Sequence, residues 1–272
     1  MSRGIEFDVG SDGVGLLRVN RPASRNALTW AAQEAFAEAV AAAGRAAAGR
    51  DPALRVLILT GAGPAFVSGG DLKELAGHPE AAAGERLNRT MSAALDGLSA
   101  LPLPVIAAVN GDAIGGGCEI LTACDLRLAA PQARFAFRQI NNGLTTGWGG
   151  GSRLVELIGQ SRAMELLLTG RAIDAAEAQA LGLLHRVIAP GEDVLAVAQA
   201  WAAELVHLPR HALAALKKLV HAAAHLSPTD TARLEAQLFI NLWPSPDHLE
   251  AMAAFAQKRP PVFNRDAWPR QT

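Results

Sequence analysis

The sequence predicts a layered α/β core with much parallel strand pairing, followed by a mostly helical C-terminal region. Two observations carry this reading. Up to about Gly151, short β-rich runs alternate with helical stretches, the pattern of strands joined by crossover helices. Beyond it, nearly every periodic segment reads as helix.

In chain order, Val14–Val19 reads as a strand, and Thr29–Ala48 as an alanine-rich helix with Thr29 placed to cap it. Val56–Thr60 is a short buried strand ending at Gly61. Asn88–Ala100 is helical, and Val105–Val109 is a second buried strand, entered from Pro104 and closed by Asn110-Gly111. Gly116–Ala123 begins a helix, while Leu126–Ala129 and Arg134–Phe137 look extended. The later helices are Leu154–Ile158, Ala163–Thr169, Ala175–Ala180, Val194–Val206, Ala212–His225, Thr229–Asn241 and Pro246–Ala256, with one strand, Arg186–Ile188, among them. No repeat at a fixed period appears; the alanine tracts are helix composition.

Composition excludes several classes. Half of the 272 residues are apolar, enough to bury a sizeable core in one large domain, with or without an appended arm. Lys and Arg total 25 against 26 Asp and Glu, so no strong overall field recruits nucleic acid or a membrane surface. No Lys/Arg stripe with interleaved aromatics appears either. Met1 to Asp8 lack the pattern of a secretory signal, and Gly, Pro or charge breaks every apolar stretch short of a spanning helix. Two cysteines, Cys118 and Cys124, make no disulfide framework and fit a reducing compartment. The expectation is a cytoplasmic protein.

Glycine marks where backbone must approach a ligand. One cluster follows a strand at Gly61, Gly63, Gly69 and Gly70; the other follows a strand at Gly111, Gly115, Gly116 and Gly117. Glycines entering a helix leave its first N–H groups unpaired and pointing outward. Two such loops on neighbouring parallel strands would converge on one carbonyl oxygen, each donor worth roughly 3 kcal/mol at a developing oxyanion. Taken singly, either cluster also reads as a tight turn and nothing more.

Other glycine and histidine readings fail. Gly61-Ala-Gly63 lacks the third glycine of a dinucleotide fingerprint, and no Lys-Ser/Thr follows Gly117 as in a phosphate loop. Ser68 follows Phe66-Val67, so it is no nucleophile elbow. His207/His211 and His221/His225 have helical metal-ligand spacing, but Pro209 interrupts the first pair and no nearby carboxylate completes either; no metal is expected.

These residues carry a resemblance. Ala65-Phe66-Val67-Ser68-Gly69-Gly70-Asp71-Leu72-Lys73-Glu74 resembles the first signature of the crotonase, or enoyl-CoA hydratase/isomerase, family. Val109-Asn110-Gly111 through Gly115-Gly116-Gly117-Cys118-Glu119, then Ala123-Cys124-Asp125, resembles the second. Asn20-Arg21-Pro22 with Asn26-Ala27-Leu28 is similar to the family's entry segment. Gly143, Trp148-Gly149-Gly150 and Arg153-Leu154 are similar to a later one, followed by Gly170, Ala175, Glu177-Ala178 and Gly182-Leu183. Phe255 with Lys258-Arg259 matches the C-terminal end.

The resemblance implies a crotonase-like spiral of ββα units over 1–205 and a helical C-terminal trimerisation region over 206–272, with assembly as a homotrimer or homohexamer. It implies an acyl-CoA thioester as ligand, coenzyme A arriving as part of the substrate with no separate cofactor. Gly70 and Gly116 should supply the two oxyanion N–H groups. Ser24, Arg25, Ala27 and Ser68 should line the adenine and pantetheine path, with Asp71 and Leu72 beside the thioester. Trp148 narrows the acyl pocket, and Phe255 and Lys258 align with residues that reach the CoA, in many members from a neighbouring subunit.

The acids depart from the family pattern. Hydratases of the family use two glutamates, one on each side of the substrate double bond. Glu119 occupies the first position; desolvated beside an acyl chain, it could serve as general acid or base. Gln139 occupies the second, where it can orient a water or a carbonyl but cannot exchange a proton near neutral pH. Members that isomerise dienoyl chains, or hydrolyse or dehalogenate their substrates, place an aspartate where this chain has Gly147, and Thr145-Thr146 stand where a proline is common. The expected activity is that of an enoyl-CoA hydratase/isomerase with Glu119 as acid/base. The alternatives are a decarboxylase of a malonyl-CoA-like thioester, which needs the enolate but no base to form it, and a CoA-thioester binder with little turnover.

Overall fold

The computed structural model describes residues 3–48 and 53–264. The outer ends of the two expected regions, residues 1–2 and 265–272, lie outside the described residues. Three successive units each lay one strand in a large sheet and the next in a small one. β3 (Val56–Gly61), β5 (Val105–Val109) and β7 (Leu126–Ala129) pair in parallel in the large sheet. β4 (Ala65–Val67), β6 (Asp112–Ile114) and β8 (Arg134–Ala136) pair in parallel in the small one. The two clusters of glycine sit at and just beyond the turns between these sheets. The large sheet is completed by an antiparallel edge, β1 (Ile5–Val9) on β2 (Val14–Val19), and at the other end by β10 (Arg186–Val187); β9 (Ile173–Asp174) closes the small sheet.

The central strands β3 and β5 of the large sheet are nearly continuous apolar runs because both faces are covered. Leu57, Leu59, Val105, Ala107 and Val109 face the main core, with Phe36 and Val40 of helix α1 (Trp30–Ala46) and Met91, Leu95 and Leu98 of helix α3 (Ala81–Ser99). Alternate residues Val56, Ile58, Ile106 and Ala108 face Ala198 and Ala202 of helix α8 (Val194–Val206). Such period-two burial fixes register, since a slip of one residue would exchange the two faces.

Between these lie α2 (Leu72–Leu75), α4 (Gly116–Thr122), α5 (Gly150–Ile158), α6 (Gln160–Thr169) and α7 (Ala175–Ala180); α9 (Arg210–Ala223), α10 (Pro228–Leu242) and α11 (Pro246–Ala256) follow α8. Thr29 caps α1, its Oγ1 accepting from Ala32 N at 3.3 Å. The helix expected from Asn88 begins earlier, at Ala81, and the one expected from Leu154 begins at Gly150. The first extension adds about two mostly exposed turns, which apolar periodicity does not mark.

The C-terminal helices have no core of their own: no residue of α9 or α10 is buried. α9 is tied to the α/β core by Lys217, whose Nζ donates to Leu103 O at 3.0 Å and pairs with Asp125 at 2.7 Å. No helix of the described residues is long and apolar enough to cross a membrane.

Candidate active site

The two glycine loops meet. Gly69 has φ +88°, and a Cβ there would lie 3.0 Å from Gly116 N and 3.2 Å from Ile114 O, so only glycine lets the loops touch at this geometry. Leu28 N donates to Gly69 O at 2.8 Å, and Asp71 N to Leu28 O at 2.9 Å. That parallel bridge turns the intervening Gly70 N–H away from Leu28. Gly116 opens α4, so its N–H has no acceptor within the helix. Gly117 lies so close to β4 that a Cβ would be 1.8 Å from Val67 O, which locks the start of α4 against the first loop.

Asparagines hold the turns behind this meeting point. Asn26, fully buried with φ +60°, accepts from Arg21 N at 2.8 Å and donates to Ala65 O at 2.7 Å and Ala62 O at 2.9 Å. Asn110 accepts from Gly61 N at 3.1 Å and donates to Gly63 O at 2.8 Å. Each therefore pins the β3–β4 turn from a different element.

Glu119 lies one turn into α4 and is 2% exposed. Its Oε1 accepts from Gln139 Nε2 at 2.8 Å and from Gly147 N at 3.4 Å; its Oε2 accepts from Trp148 N at 2.7 Å and Gly150 N at 3.0 Å. Four donors meet the four lone-pair positions of a carboxylate. Gln139, half-buried in a 3-10 turn after β8, leaves its own Oε1 buried without a partner among the described residues. Trp148 is buried, and its ring packs on Gly116: a Cβ there would lie 2.1 Å from Cζ3. Gly147 faces open space.

The remaining expected residues divide into two groups. Ser24, Arg25, Ala27 and Ser68 border the first loop: Ser68 Oγ donates to Ser24 O at 3.5 Å, Ala27 O accepts from Arg21 Nε at 2.8 Å, and Arg25, exposed, pairs with Asp112 at 2.5 Å. Asp71 caps α2 through Lys73 N and lies 3.6 Å from Arg21, while Leu72 is 59% exposed. Phe255 stands apart on α11, 84% exposed, and Lys258 follows in a left-handed turn at φ +53°. Within one chain, no hydrogen bond or ring contact among the described residues joins either to the loops.

A sequence model described as enoyl-CoA hydratase/isomerase matches residues 10–266. The chain belongs to that family. It is an acyl-CoA-transforming enzyme with the crotonase fold. A Mycobacterium tuberculosis protein named probable enoyl-CoA hydratase is 37% identical over 250 residues, spanning 92% of this chain and 94% of its own. An enoyl-CoA isomerase/hydratase of Mycosarcoma maydis is 38% identical over 214 residues, spanning 78% and 77%. Among solved structures, an enoyl-CoA hydratase of Mycobacterium smegmatis superposes with a TM-score of 0.89 at 32% identity, covering 96% of this chain and 98% of its own.

In this member of the family, carboxylates do face the C-terminal histidines, contrary to expectation. Asp125 Oδ1 lies 3.3 Å from His221 Nε2, and Glu156 3.6 Å from His225. They come from the core and from α5, which sequence spacing does not reveal. Among the described residues, no group of three or more candidate ligands gathers for a metal. Sequence reasoning also missed Asn88, Ser92 and Arg153, which hold the Gly147–Trp148 segment. Polar residues four apart on α3 were the signal for Asn88 and Ser92, and Arg153 stood in the family-like segment without a role assigned.

Proposed function

We propose that the enzyme acts on an enoyl-CoA, holding the thioester carbonyl between Gly70 N–H and Gly116 N–H and stabilising its enolate. What supports this is the meeting of the Gly69–Gly70 loop with Gly116 beside a buried carboxylate, the N–H groups of Gly70 and Gly116 having no backbone acceptor among the described residues. In hydration, water oxygen bonds to C3, the C2=C3 electron pair moves into the thioester as an enolate, and a water proton passes to Glu119. The enolate takes that proton back at C2, so the carboxylate is regenerated. Oε1 is the atom suited to this, because its bond from Gly147 N is the longest of the four. The unpaired Oε1 of Gln139 accepts a hydrogen from the water and orients it without taking the proton. Isomerisation uses the same enolate, with Glu119 moving one proton between carbons.

Ser24, Arg25, Ala27 and Ser68 fit the CoA path, Asp71 and Leu72 its thioester end, and Trp148 the acyl wall; CoA enters only as part of the substrate. Phe255 and Lys258 reach the CoA of a neighbouring subunit in a homotrimer or homohexamer, with residues 206–272 as the assembling region after a core of 1–205. Two buried free thiols fit a cytoplasmic setting. Neither nucleic acid nor membrane is a partner in this reading.

A decarboxylase of a malonyl-CoA-like thioester is the second reading. It is favoured by the four donors on Glu119, which occupy its lone-pair positions, and by the amide at Gln139, which exchanges no proton. Loss of carbon dioxide makes the enolate without a base.

A mass-spectrometric screen of acyl-CoA thioesters separates the two by gain of water, an isomeric product or loss of carbon dioxide. Binding is tested independently: a thioester at about a hundred times its Kd should stabilise the fold by roughly 2.7 kcal/mol. An unmoved melting temperature with silent calorimetry would sink the assignment of these loops to CoA.

A further inference from the structure

The turn that grips Glu119 is itself gripped from behind. Its N–H groups, from Trp148 and Gly150, point at Glu119, and its carbonyls point at helix α3 or back at α5. Gly147 C=O accepts from the Asn88 amide and from Ser92 Oγ at 3.1 Å. Trp148 C=O accepts from Arg153 at 2.9 Å, whose other terminal nitrogen pairs with Asp96 at 2.5 Å. Asn88, Ser92 and Asp96 are four residues apart and form one stripe along α3. The neighbouring face of α3 is anchored in the core by Met91, Leu95 and Leu98. The stripe is thereby held at a fixed height above the turn.

Gly147 C=O and Trp148 N–H belong to the same peptide unit. Donors on its oxygen polarise it and strengthen the bond its N–H makes to Glu119 Oε2. We propose that Asn88 and Ser92 are positioning residues for catalysis, setting the Glu119 carboxylate by clamping the Gly147–Trp148 peptide. This rests on the reading of Glu119 as proton carrier, and it adds two residues that reach Glu119 through that peptide.

The test uses the full chain with Asn88→Ala and Ser92→Ala together; alanine suits a helix, so α3 should persist. Hydrogen exchange at the Trp148 amide, which needs no substrate, should quicken about tenfold, the yield of roughly one ordinary hydrogen bond. For crotonyl-CoA, kcat should fall about tenfold while KM stays within about twofold, the signature of an interaction felt in the transition state. Ser92→Thr, which keeps the hydroxyl, should retain most of the rate. In a Glu119→Gln background the two alanines should change kcat no further. Unaltered Trp148 exchange would overturn the proposal, as would raised KM at constant kcat, or an equal loss on top of Glu119→Gln. Should the double variant not fold, each single variant removes one bond and is read the same way. The outcomes separate the two claims: full turnover by Glu119→Gln defeats the proton-carrier reading itself. A crippled Glu119→Gln beside a normal double variant defeats the clamp alone.

Discussion

In the proposed mechanism Glu119 carries the proton and Gln139 orients the water, and the contact between them says how substitutions should behave. Glu119→Gln keeps the size but turns an amide NH2 toward N–H donors that now meet oxygen. That mismatch should cost about 1–3 kcal/mol of stability while leaving the fold formed. Turnover of the true substrate should fall by roughly two to four orders of magnitude, the usual yield of general acid–base catalysis. Steady-state kinetics beside a melting curve measure both; wild-type turnover would leave Glu119 as a helix-start acid and nothing more. Gln139→Glu should raise hydration of crotonyl-CoA. It places a carboxylate where an amide now sits 2.8 Å from Glu119 Oε1. Two charges at that distance are strongly disfavoured, so the pair would share a proton and gain an acid that Gln139 cannot supply. A hydration rate no higher than that of the parent would mean that Gln139 does not face the water.

At the scale of elements, opposing effects can be ranked. Alanine is better than glycine inside a helix by about 1 kcal/mol, so propensity alone says that Gly117→Ala stabilises α4. The Cβ would fall 1.8 Å from Val67 O, a backbone atom of β4. Overpacking of that kind costs roughly 1–3 kcal/mol or more, so the variant should be less stable in urea denaturation; a gain would show that the two loops can part. Another joint carries a pH dependence. Arg127 N donates to His185 Nδ1 at 3.1 Å, linking β7 to the approach to β10. Burial, then the Arg127 charge, holds the His185 imidazole below its usual pKa. The folded chain therefore binds its proton less readily than the unfolded chain does. The contribution is full above the ordinary histidine pKa and is lost as pH falls through that value toward the lowered one. A His185→Gln variant should lose less stability than the parent between neutral and mildly acidic pH. A parallel decline in both would refute the assignment. These elements were unevenly legible. β3 and β5 stood out as apolar runs closed by Gly61 and by Asn110-Gly111. β4 and β6 did not, being three residues each and wedged between glycine turns, with no room for a pattern to repeat. β1 went unread although Ile5, Phe7 and Val9 alternate with Glu6 and Asp8, the period-two pattern of an edge strand.

Across the whole molecule, segments on neighbouring strands were readable and contacts drawn from distant segments were not. The glycine loops of Gly70 and Gly116 and the acid Glu119 stand out in the sequence and lie together in the fold, while their proposed roles come from the family resemblance. Trp148 and Gly150 hold Glu119 through backbone N–H groups, which leave no mark on residue identity, and Asn88 and Ser92 act through a contact between segments about sixty residues apart. The same limit applies to assembly, where sequence suggests apolar helices and the structure shows what they leave uncovered. Leu216 and Val220 of α9, Phe239 and Ile240 of α10, and Leu249, Met252 and Phe255 of α11 are all more than half exposed. Apolar exposure of this kind, on helices of which only Ala254 is buried among the described residues, is the surface that an assembly would cover. Leu213, Leu219 and Leu238 are only partly covered in the single chain and would add to it. If α9–α11 bury this surface against sister subunits and carry Phe255 and Lys258 to a neighbour's CoA, light scattering should give a mass of three or six chains. Charge placed at the patch, as in Phe239→Asp with Ile240→Lys, should release monomers that keep the α/β core and lose CoA affinity. A parent protein that runs as a clean monomer at micromolar concentration, with full affinity for acyl-CoA, would show the single chain to be a complete site and refute the shared one.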